Sequence, residues 1–182
     1  MASRILDALK QQGNHEVGNI NSWKIRVVPN GAVVVDDPID NFTLVELGFG
    51  ENGERTCKQL SAVGNKGYLI ASVERRYVPG EQMVDCYNAV GEMARIIILD
   101  EGFRFDTSAF SLNTDVTEIK NGQVAHFDPA TKKFIISDPT ATHADYATAR
   151  DKFFVVSNED DLEYTNGKPL VRLEVQPAIV GA

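Results

Sequence analysis

Short apolar segments separated by turn residues dominate the chain from Trp23 onward. The segment WKIRVV alternates apolar and polar residues, which is typical of a strand with one buried face. Further segments rich in Val, Ile and aromatic residues follow it: AVVV, TLVEL, YLIASVE, ARIIILD, QVAHF, KFIIS, KFFVV and PLVRLEV. The connectors between them, such as GNKG, VPGEQ, KNG and TNGKP, carry the residues that favour turns. This even punctuation predicts an antiparallel barrel or sandwich rather than β-α-β units.

The N-terminal segment has a helical spacing instead. Ile5, Leu6 and Leu9 form one small apolar face, and a polar, glycine- and asparagine-rich stretch follows them. Because an isolated helix this short is marginal in water, we expect it to dock on its own domain or on a neighbour. Residues 1–22 are therefore predicted to form an N-terminal arm and linker.

A second short helix is predicted within residues 81–93, EQMVDCYNAVGEM, where Met83, Tyr87 and Val90 repeat with helical spacing. The sequence thus predicts a mainly β (α+β) fold, an antiparallel barrel or sandwich with a helical arm and one inserted helix. Residues 23–176 form the β-rich globular domain, and residues 177–182 form a C-terminal tail.

The segment TLVELGFGENG, residues 43–53, contains a G-x-G-x-x-G spacing after a strand-like run. A dinucleotide-binding turn would need a helix after Gly53, long enough to return parallel to the first strand. The stretch ERTCKQLSAV is short for that role, whereas Asn52-Gly53 between two strands is typical of a β-hairpin. A hairpin is therefore predicted, with a nucleotide-binding enzyme as the weaker alternative.

Composition narrows the classes of function. The chain has 182 residues, 43% of them hydrophobic, and a formal net charge of −8. This acidity argues against nucleic-acid binding, which needs clustered Lys and Arg. We expect no membrane partner, since no apolar run approaches the about 20 residues that span a bilayer, and no signal peptide. Cys57 and Cys86 lack a C-x-x-C pattern, so free thiols are favoured over a disulfide.

Residues with catalytic or metal-binding chemistry are scattered. His15, His126 and His143 fit no metal-binding motif, and His126 in QVAHF is interpreted as a hydrogen-bonded sheet histidine. The acidic stretches DDPID (36–40) and NEDDLE (158–163) lack the ligand spacing of an EF-hand and are interpreted as solvated loops. No nucleophile elbow is present in the sequence. The expectation is no enzymatic activity, no catalytic residue, no cofactor and no metal.

Aromatic residues outside the clear strands suggest a protein interface. Phe103, Phe105 and Phe110 lie in the loop-like stretch EGFRFDTSAFS, and Trp23 opens the first strand. Two interpretations stand: alternation buries Phe103 and Phe105 in the core, or the aromatics form a contact patch with a polar rim. The candidate interface residues are Ile5, Leu6, Leu9, Trp23, Phe103, Phe105 and Phe110.

Four stretches together resemble a group of small structural proteins from the heads of tailed bacteriophages. They are MASRILDALKQQGNHEVGNINSWKIRVV, ARIIILDEGFRFDTSAFS, NGQVAHFDPATKKFIISDP and FFVVSNEDDLEYTNGKPLVRLEV. The resemblance spans most of the chain and implies a decoration (cement) protein on the outside of the major capsid shell. It implies the major capsid protein as partner and self-association as trimers or lattice-bridging copies. It also implies a virion location after synthesis in the host cytoplasm, and it assigns no capsid-contacting residue.

Three alternatives remain at this stage. A phage tail or head-tail connector protein would also be β-rich, but would form rings or tubes of fixed copy number. A nucleotide-binding enzyme would use the glycine-rich turn at residues 48–53. A carbohydrate-binding sandwich on the particle surface would use exposed aromatics as stacking platforms.

Overall fold

A computed structural model describes residue 20 and residues 24–73, 86–157 and 169–177. Within these ranges the chain forms twelve strands, one short 3-10 helix (Ala144–Tyr146) and no α-helix, so the mainly β prediction is confirmed. The first six strands are β1 (Ala32–Val34), β2 (Leu44–Phe49), β3 (Arg55–Gln59), β4 (Tyr68–Ile70), β5 (Met93–Ala94) and β6 (Ile96–Ile97). The last six are β7 (Arg104–Thr107), β8 (Phe110–Leu112), β9 (Val124–Asp128), β10 (Lys133–Ser137), β11 (Lys152–Val155) and β12 (Val171–Val175).

Each half of the chain forms a six-stranded sheet whose two edge strands are consecutive in sequence. The first sheet has the order β5-β1-β3-β2-β4-β6, and only Arg95 separates its edges β5 and β6. The second has the order β7-β12-β11-β9-β10-β8, and residues 108–109 separate its edges. In each sheet, one continuous stretch of chain therefore supplies both edge strands. The two edges are held close together, and the sheet curls into a nearly closed barrel. We call them the first barrel and the second barrel; closure of this kind leaves little unpaired edge.

In the first barrel, the first two residues of β2, the last two of β4 and both residues of β6 are buried on both faces and form what we call the shared wall. One set of side chains from these strands lines the first barrel's own core: Val45, Ile70 and Ile96. Their sequence neighbours face a core shared with the second barrel: Leu44, Leu69 and Ile97. All six are fully buried. Strands buried on both faces read as continuous apolar runs, which explains why YLI and ARIII do not alternate.

The glycine-rich segment is a β-hairpin, as predicted. β2 and β3 pair antiparallel, with Phe49 opposite Arg55 next to the loop. The Gly50 N–H donates to the Glu54 carbonyl at 2.8 Å, which leaves a three-residue loop between them. Gly53 ends this loop with φ of 81°, the left-handed conformation that three-residue hairpin loops favour. Since a strand follows Gly53 where a dinucleotide turn requires a helix, this segment is no Rossmann turn.

The predicted inserted helix is wrong over its described part. Residues 81–85 lie outside the described residues, and residues 86–93 are not helical. The backbones of Asn88 and Ile39 exchange two hydrogen bonds, of 2.9 and 3.0 Å, and the segment then enters β5. Val90, which helical spacing placed on a buried face, is 52% exposed. Long-range strand pairing has overridden a weak local helical pattern.

The remaining predictions concern strand direction, the first predicted strand and the two terminal segments. Most strand pairs are antiparallel, but β1 pairs with β3, and β8 with β10, in parallel. WKIRVV contributes only a bridge from Val27 to Ile97 within its described residues. The predicted N-terminal helix and Trp23 lie outside the described residues, as does the tail beyond Pro177. Ile20, in the predicted linker, bridges to Phe105 and packs on the shared core.

Candidate functional site

Phe103 and Phe105 are core residues, at 4% and 0% exposure. The ring of Phe105 lies 5.6 Å from that of Phe134 and 5.8 Å from that of Phe153, measured between centroids. Phe110 is partly buried against the same core. The core-packing interpretation thus replaces the interface interpretation for Phe103 and Phe105, because side chains with so little accessible surface offer almost no area to a partner.

The other candidate interface residues lie outside the described part of the chain: Ile5, Leu6, Leu9 and Trp23. Among described residues, the large apolar side chains left exposed are concentrated around the first barrel. We call them the first-barrel apolar set: Ile25, Val27, Phe49, Val73, Val90 and Met93. The second barrel exposes two, Leu112 and Phe154. Sequence inspection missed this asymmetry, because an exposed apolar residue in a strand looks the same as a buried one.

Phe49 and Met93 are the members of this set held most firmly by strands. Phe49 ends β2 at 70% exposure, with the Arg55 guanidinium carbon 4.8 Å from its ring centroid. Met93 begins β5 at 61% exposure, opposite Val33. Apolar side chains presented on paired strands are suited to protein contacts, since the backbone that carries them is already ordered before binding.

A second feature is a cluster of His126, His143 and Asp145, which we call the histidine cluster. The possible ligand atoms of the three side chains all lie within 4.8 Å of one another. The rings of His126 and His143 stack, with centroids 5.2 Å apart and planes inclined by 27°. The expectation that the histidines are scattered is therefore wrong for these two, while His15 lies outside the described residues.

His126 is fixed at the centre of the second barrel's sheet. It lies on β9 between Ile135 of β10 and Lys152 of β11, and its side chain is fully buried. Within the described part of the chain, neither ring nitrogen has a hydrogen-bond partner, which corrects the hydrogen-bonded interpretation. A buried polar atom left without a partner costs about 1–3 kcal/mol. Burial lowers the pKa of His126 to about 4, and His143 acts in the same direction, so the ring is neutral at pH 7.

His143 and Asp145 approach His126 from the connection between β10 and β11. The His143 backbone N–H donates to Ser137 Oγ at 3.2 Å, which ties the loop to the end of β10. His143 then caps the 3-10 helix, since its Nδ1 accepts from the Asp145 N–H at 3.3 Å. The Asp145 carboxylate lies 3.7 Å from the same nitrogen. The short helix thus places one imidazole and one carboxylate beside the buried ring.

The chemistry available to the cluster is that of two imidazoles and one carboxylate, partly open to solvent. His143 and Asp145 side chains are 36% and 51% exposed, whereas His126 is buried. The aromatic ring of Tyr146 closes one side, edge-on to His126 at 6.1 Å. Sequence inspection could not find this cluster, because His126 joins the other two only through pairing of β9 with β10 and the folding back of the loop.

A cleft of about 320 Å³ separates the two barrels on one side. Two of its charged residues pair across it: Lys66 Nζ lies 2.9 Å from Asp151 Oδ1, and the Gly67 N–H donates to Asp151 Oδ2 at 2.6 Å. These contacts and the Arg150 N–H, which donates to the Val63 carbonyl at 2.9 Å, join the barrels. We interpret the cleft as part of the seam between the barrels.

Cys57 and Cys86 form no disulfide bond with each other; Cys57 is buried and Cys86 partly buried. Among the residues that the structure describes, no helix has the length and apolar character needed to cross a membrane.

Comparison with known proteins gives two matches. The family model described as YonC prophage protein matches residues 11–176. The chain is also similar to the SPbeta prophage-derived uncharacterized protein YonC of Bacillus subtilis (strain 168). The identity is 60% over 176 residues, which cover 96% of this chain and 98% of that protein.

Proposed function

The chain belongs to the YonC prophage protein family, and from this premise we propose that it is a non-enzymatic structural protein of the phage particle. Its role in this proposal is that of a decoration protein, which binds the outside of the major capsid shell and stabilises it. The protein would be made in the host cytoplasm and reside on the virion surface. Its partners would be the major capsid protein and neighbouring copies of itself.

The observation that carries this proposal is the uneven distribution of exposed apolar side chains. The first barrel presents the first-barrel apolar set to solvent, while the described part of the second barrel exposes two large apolar side chains, Leu112 and Phe154. An excess of exposed large apolar residues on one of two barrels favours that barrel as the protein contact surface. In the proposed arrangement the first barrel faces the shell and the second barrel faces the medium.

The fold and the charge support a protein that is bound in many copies. The nearly closed barrels leave few unpaired strand edges, which disfavours uncontrolled edge-to-edge association of copies through their backbones. A net charge of −8 adds repulsion between copies in solution and disfavours nucleic acid as a partner. Attachment to a repeating lattice raises the effective concentration of each weak contact, so every interface can be small.

The test measures binding to purified capsids that lack the protein. We would compare the wild-type chain with a Phe49→Ser/Met93→Ser variant and with a Leu112→Ser/Phe154→Ser control, by co-sedimentation and cryo-electron microscopy. All four side chains are exposed, so neither pair of changes should unfold the protein. We expect regular added density for wild type and control, and at least about tenfold weaker binding for the first-barrel variant.

Two results would contradict the proposal. Absence of binding to every form of the capsid would exclude a decoration role, and rings or tubes in solution would then favour the tail or connector alternative. If the Phe49→Ser/Met93→Ser variant bound the capsid as tightly as the Leu112→Ser/Phe154→Ser control, the first barrel would not face the shell.

A further inference from the structure

The histidine cluster poses a problem that packing alone does not solve. His126 is fully buried, and within the described residues both of its ring nitrogens lack a hydrogen-bond partner. Phenylalanine fills a similar volume without polar atoms, and the same barrel already uses it at Phe127 and Phe134. A buried polar group in this state is expected to have a partner that the protein chain does not itself supply, such as a water or an ion.

The neighbours of His126 indicate the nature of that partner. His143 and Asp145 place a second imidazole and a carboxylate so that all three ligand atoms lie within 4.8 Å. Two histidines and one carboxylate, with a water in the remaining position, form a common ligand set for zinc. Calcium and magnesium prefer sites made of several oxygens, and this cluster offers a single carboxylate.

We propose that His126, His143 and Asp145 bind one divalent transition-metal ion of the zinc type, with solvent completing the coordination. Tetrahedral zinc holds ligand atoms about 3.4 Å apart, given metal–ligand distances of about 2.0–2.2 Å. The cluster must therefore contract by up to about 1.4 Å at its widest pair. The His143 ring must also turn out of its stacked position, because nitrogen lone pairs lie in the ring plane and those of near-parallel stacked rings do not converge on one ion.

The side chains that must move are the ones free to do so. His143 and Asp145 are partly exposed and lie in a loop and a single 3-10 turn, whereas His126 is fixed by pairing on both sides of β9. The His143 Nδ1 gives up only a long, 3.3 Å hydrogen bond if it binds the metal. The nearby cation, Lys152 Nζ, is held by the Ala147 carbonyl at 3.3 Å and lies over the Tyr146 ring. The ion would tie the β10–β11 connection to the sheet beneath it.

The test uses the full-length protein, treated with chelator and dialysed, and titrated with zinc chloride. Calorimetry gives stoichiometry and affinity, and thermal unfolding gives the change in Tm. We expect one ion per chain and a Tm increase of about 5–10 °C at a hundredfold excess over Kd. Cobalt(II) in place of zinc should develop the visible absorption of a tetrahedral site.

The decisive variants are His143→Ala and Asp145→Ala, because both side chains are partly exposed and their loss should not unfold the barrel. Loss of a residue that only hydrogen-bonds a metal ligand weakens metal binding by about 10–100-fold. Loss of a ligand itself should weaken zinc binding by more than this in each variant. His15→Ala and Asp115→Ala, which remove the same residue types elsewhere, should leave the affinity unchanged.

The proposal would be overturned by no zinc binding, by binding that survives both cluster variants, or by binding that is lost in His15→Ala. A His126→Phe variant that still binds zinc would do so as well, since it would make the buried ring a packing element only. All these measurements are made on the isolated protein, so they are independent of any binding to capsids.

Discussion

Arg172 holds the carboxylate of Asp106 through two hydrogen bonds, from Nε to Oδ1 at 2.8 Å and from Nη2 to Oδ2 at 3.2 Å. The two residues are register partners on β12 and β7, and Asp106 is buried. A planar guanidinium matches a carboxylate in this forked geometry, which an ammonium group cannot reproduce. The pair therefore fixes β7, an edge strand of the second barrel, against β12.

Removal of the guanidinium should destabilise the fold. Arg172→Ala leaves a buried carboxylate without its forked partner, and we expect a loss of about 3 kcal/mol in the free energy of unfolding. Arg172→Lys should fall between this variant and wild type, because it keeps the charge but loses the fork. Denaturant titration measures both. The matched control is Arg26→Ala, whose pair with Asp100 is exposed and should contribute less than about 1 kcal/mol. Equal losses for the two alanine variants would contradict the role assigned to the buried pair.

Two glycines with positive φ should respond very differently to alanine. Gly31 has φ of 67°, and a Cβ there would lie 2.2 Å from the Ala94 carbonyl oxygen, so the strand contact must move. Gly53 has φ of 81°, but nothing lies within 4 Å of its would-be Cβ. We expect Gly53→Ala to cost about 1 kcal/mol and Gly31→Ala about 3 kcal/mol or more, in equilibrium unfolding. If Gly31→Ala were the milder change, the close approach of Gly31, just before β1, to Ala94 of β5 would be contradicted.

Glu46 should make the fold sensitive to acid. Burial raises the pKa of Glu46, but hydrogen bonds from Asn65 and Ser61 and the nearby Lys58 ammonium outweigh it and leave the pKa below its usual value. The unfolded chain therefore binds this proton at a higher pH than the native protein does. The contribution to stability is complete above the ordinary value of 4.5 and is lost as the pH falls through the lowered native value.

The measurement for Glu46 is a comparison of Glu46→Gln with wild type across pH. Glu46→Gln should lose about 1 kcal/mol at pH 7 and converge with wild type in acid. Glu51→Gln, a change on the exposed hairpin loop, should follow the wild-type curve throughout. A constant difference between Glu46→Gln and wild type at all pH values would mean that the carboxylate charge plays no part.

Cys57 should be chemically inert in the folded protein. Its side chain is 1% exposed in the first barrel's core, and burial raises the pKa of its thiol to about 11. Because the thiolate is the reactive form, iodoacetamide at pH 8 should modify Cys86 first and reach Cys57 only through unfolding. Peptide mass spectrometry over time, with and without denaturant, distinguishes the two thiols. Rapid labelling of Cys57 in the native protein would show that the first barrel opens readily.

Local patterns predicted the fold where local chemistry decides it. Asn52-Gly53 between two apolar runs was sufficient for the hairpin of β2 and β3, since a loop of this kind works through its own backbone conformation. The runs that became β9, β10, β11 and β12 were also recognisable, because they are rich in Val, Ile or Phe and flanked by turn residues. Residues 86–93 were misassigned because pairing with Ile39, distant in sequence, outweighs helical spacing.

The candidate sites were less accessible to sequence reasoning. Phe103 and Phe105 looked like interface residues because their segment resembles a loop, yet pairing of β7 with β12 carries Phe105 into the core. His126 and His143 meet only after β9, β10 and the following loop have assembled. Neither the burial of Phe105 nor the approach of His126 to His143 corresponds to a recognisable spacing in the sequence, since both depend on which strands become neighbours.

The shared wall has a consequence for synthesis on the ribosome. All strands of the first barrel are complete once residue 97 has emerged, whereas the second barrel begins at Arg104. A nascent chain at that stage can close its first barrel, but the outward row of Leu44, Leu69 and Ile97 is still exposed to water. These side chains are buried only when the C-terminal half has been synthesised and packs on them. Until then the growing polypeptide exposes an apolar surface that can bind chaperones or other nascent chains.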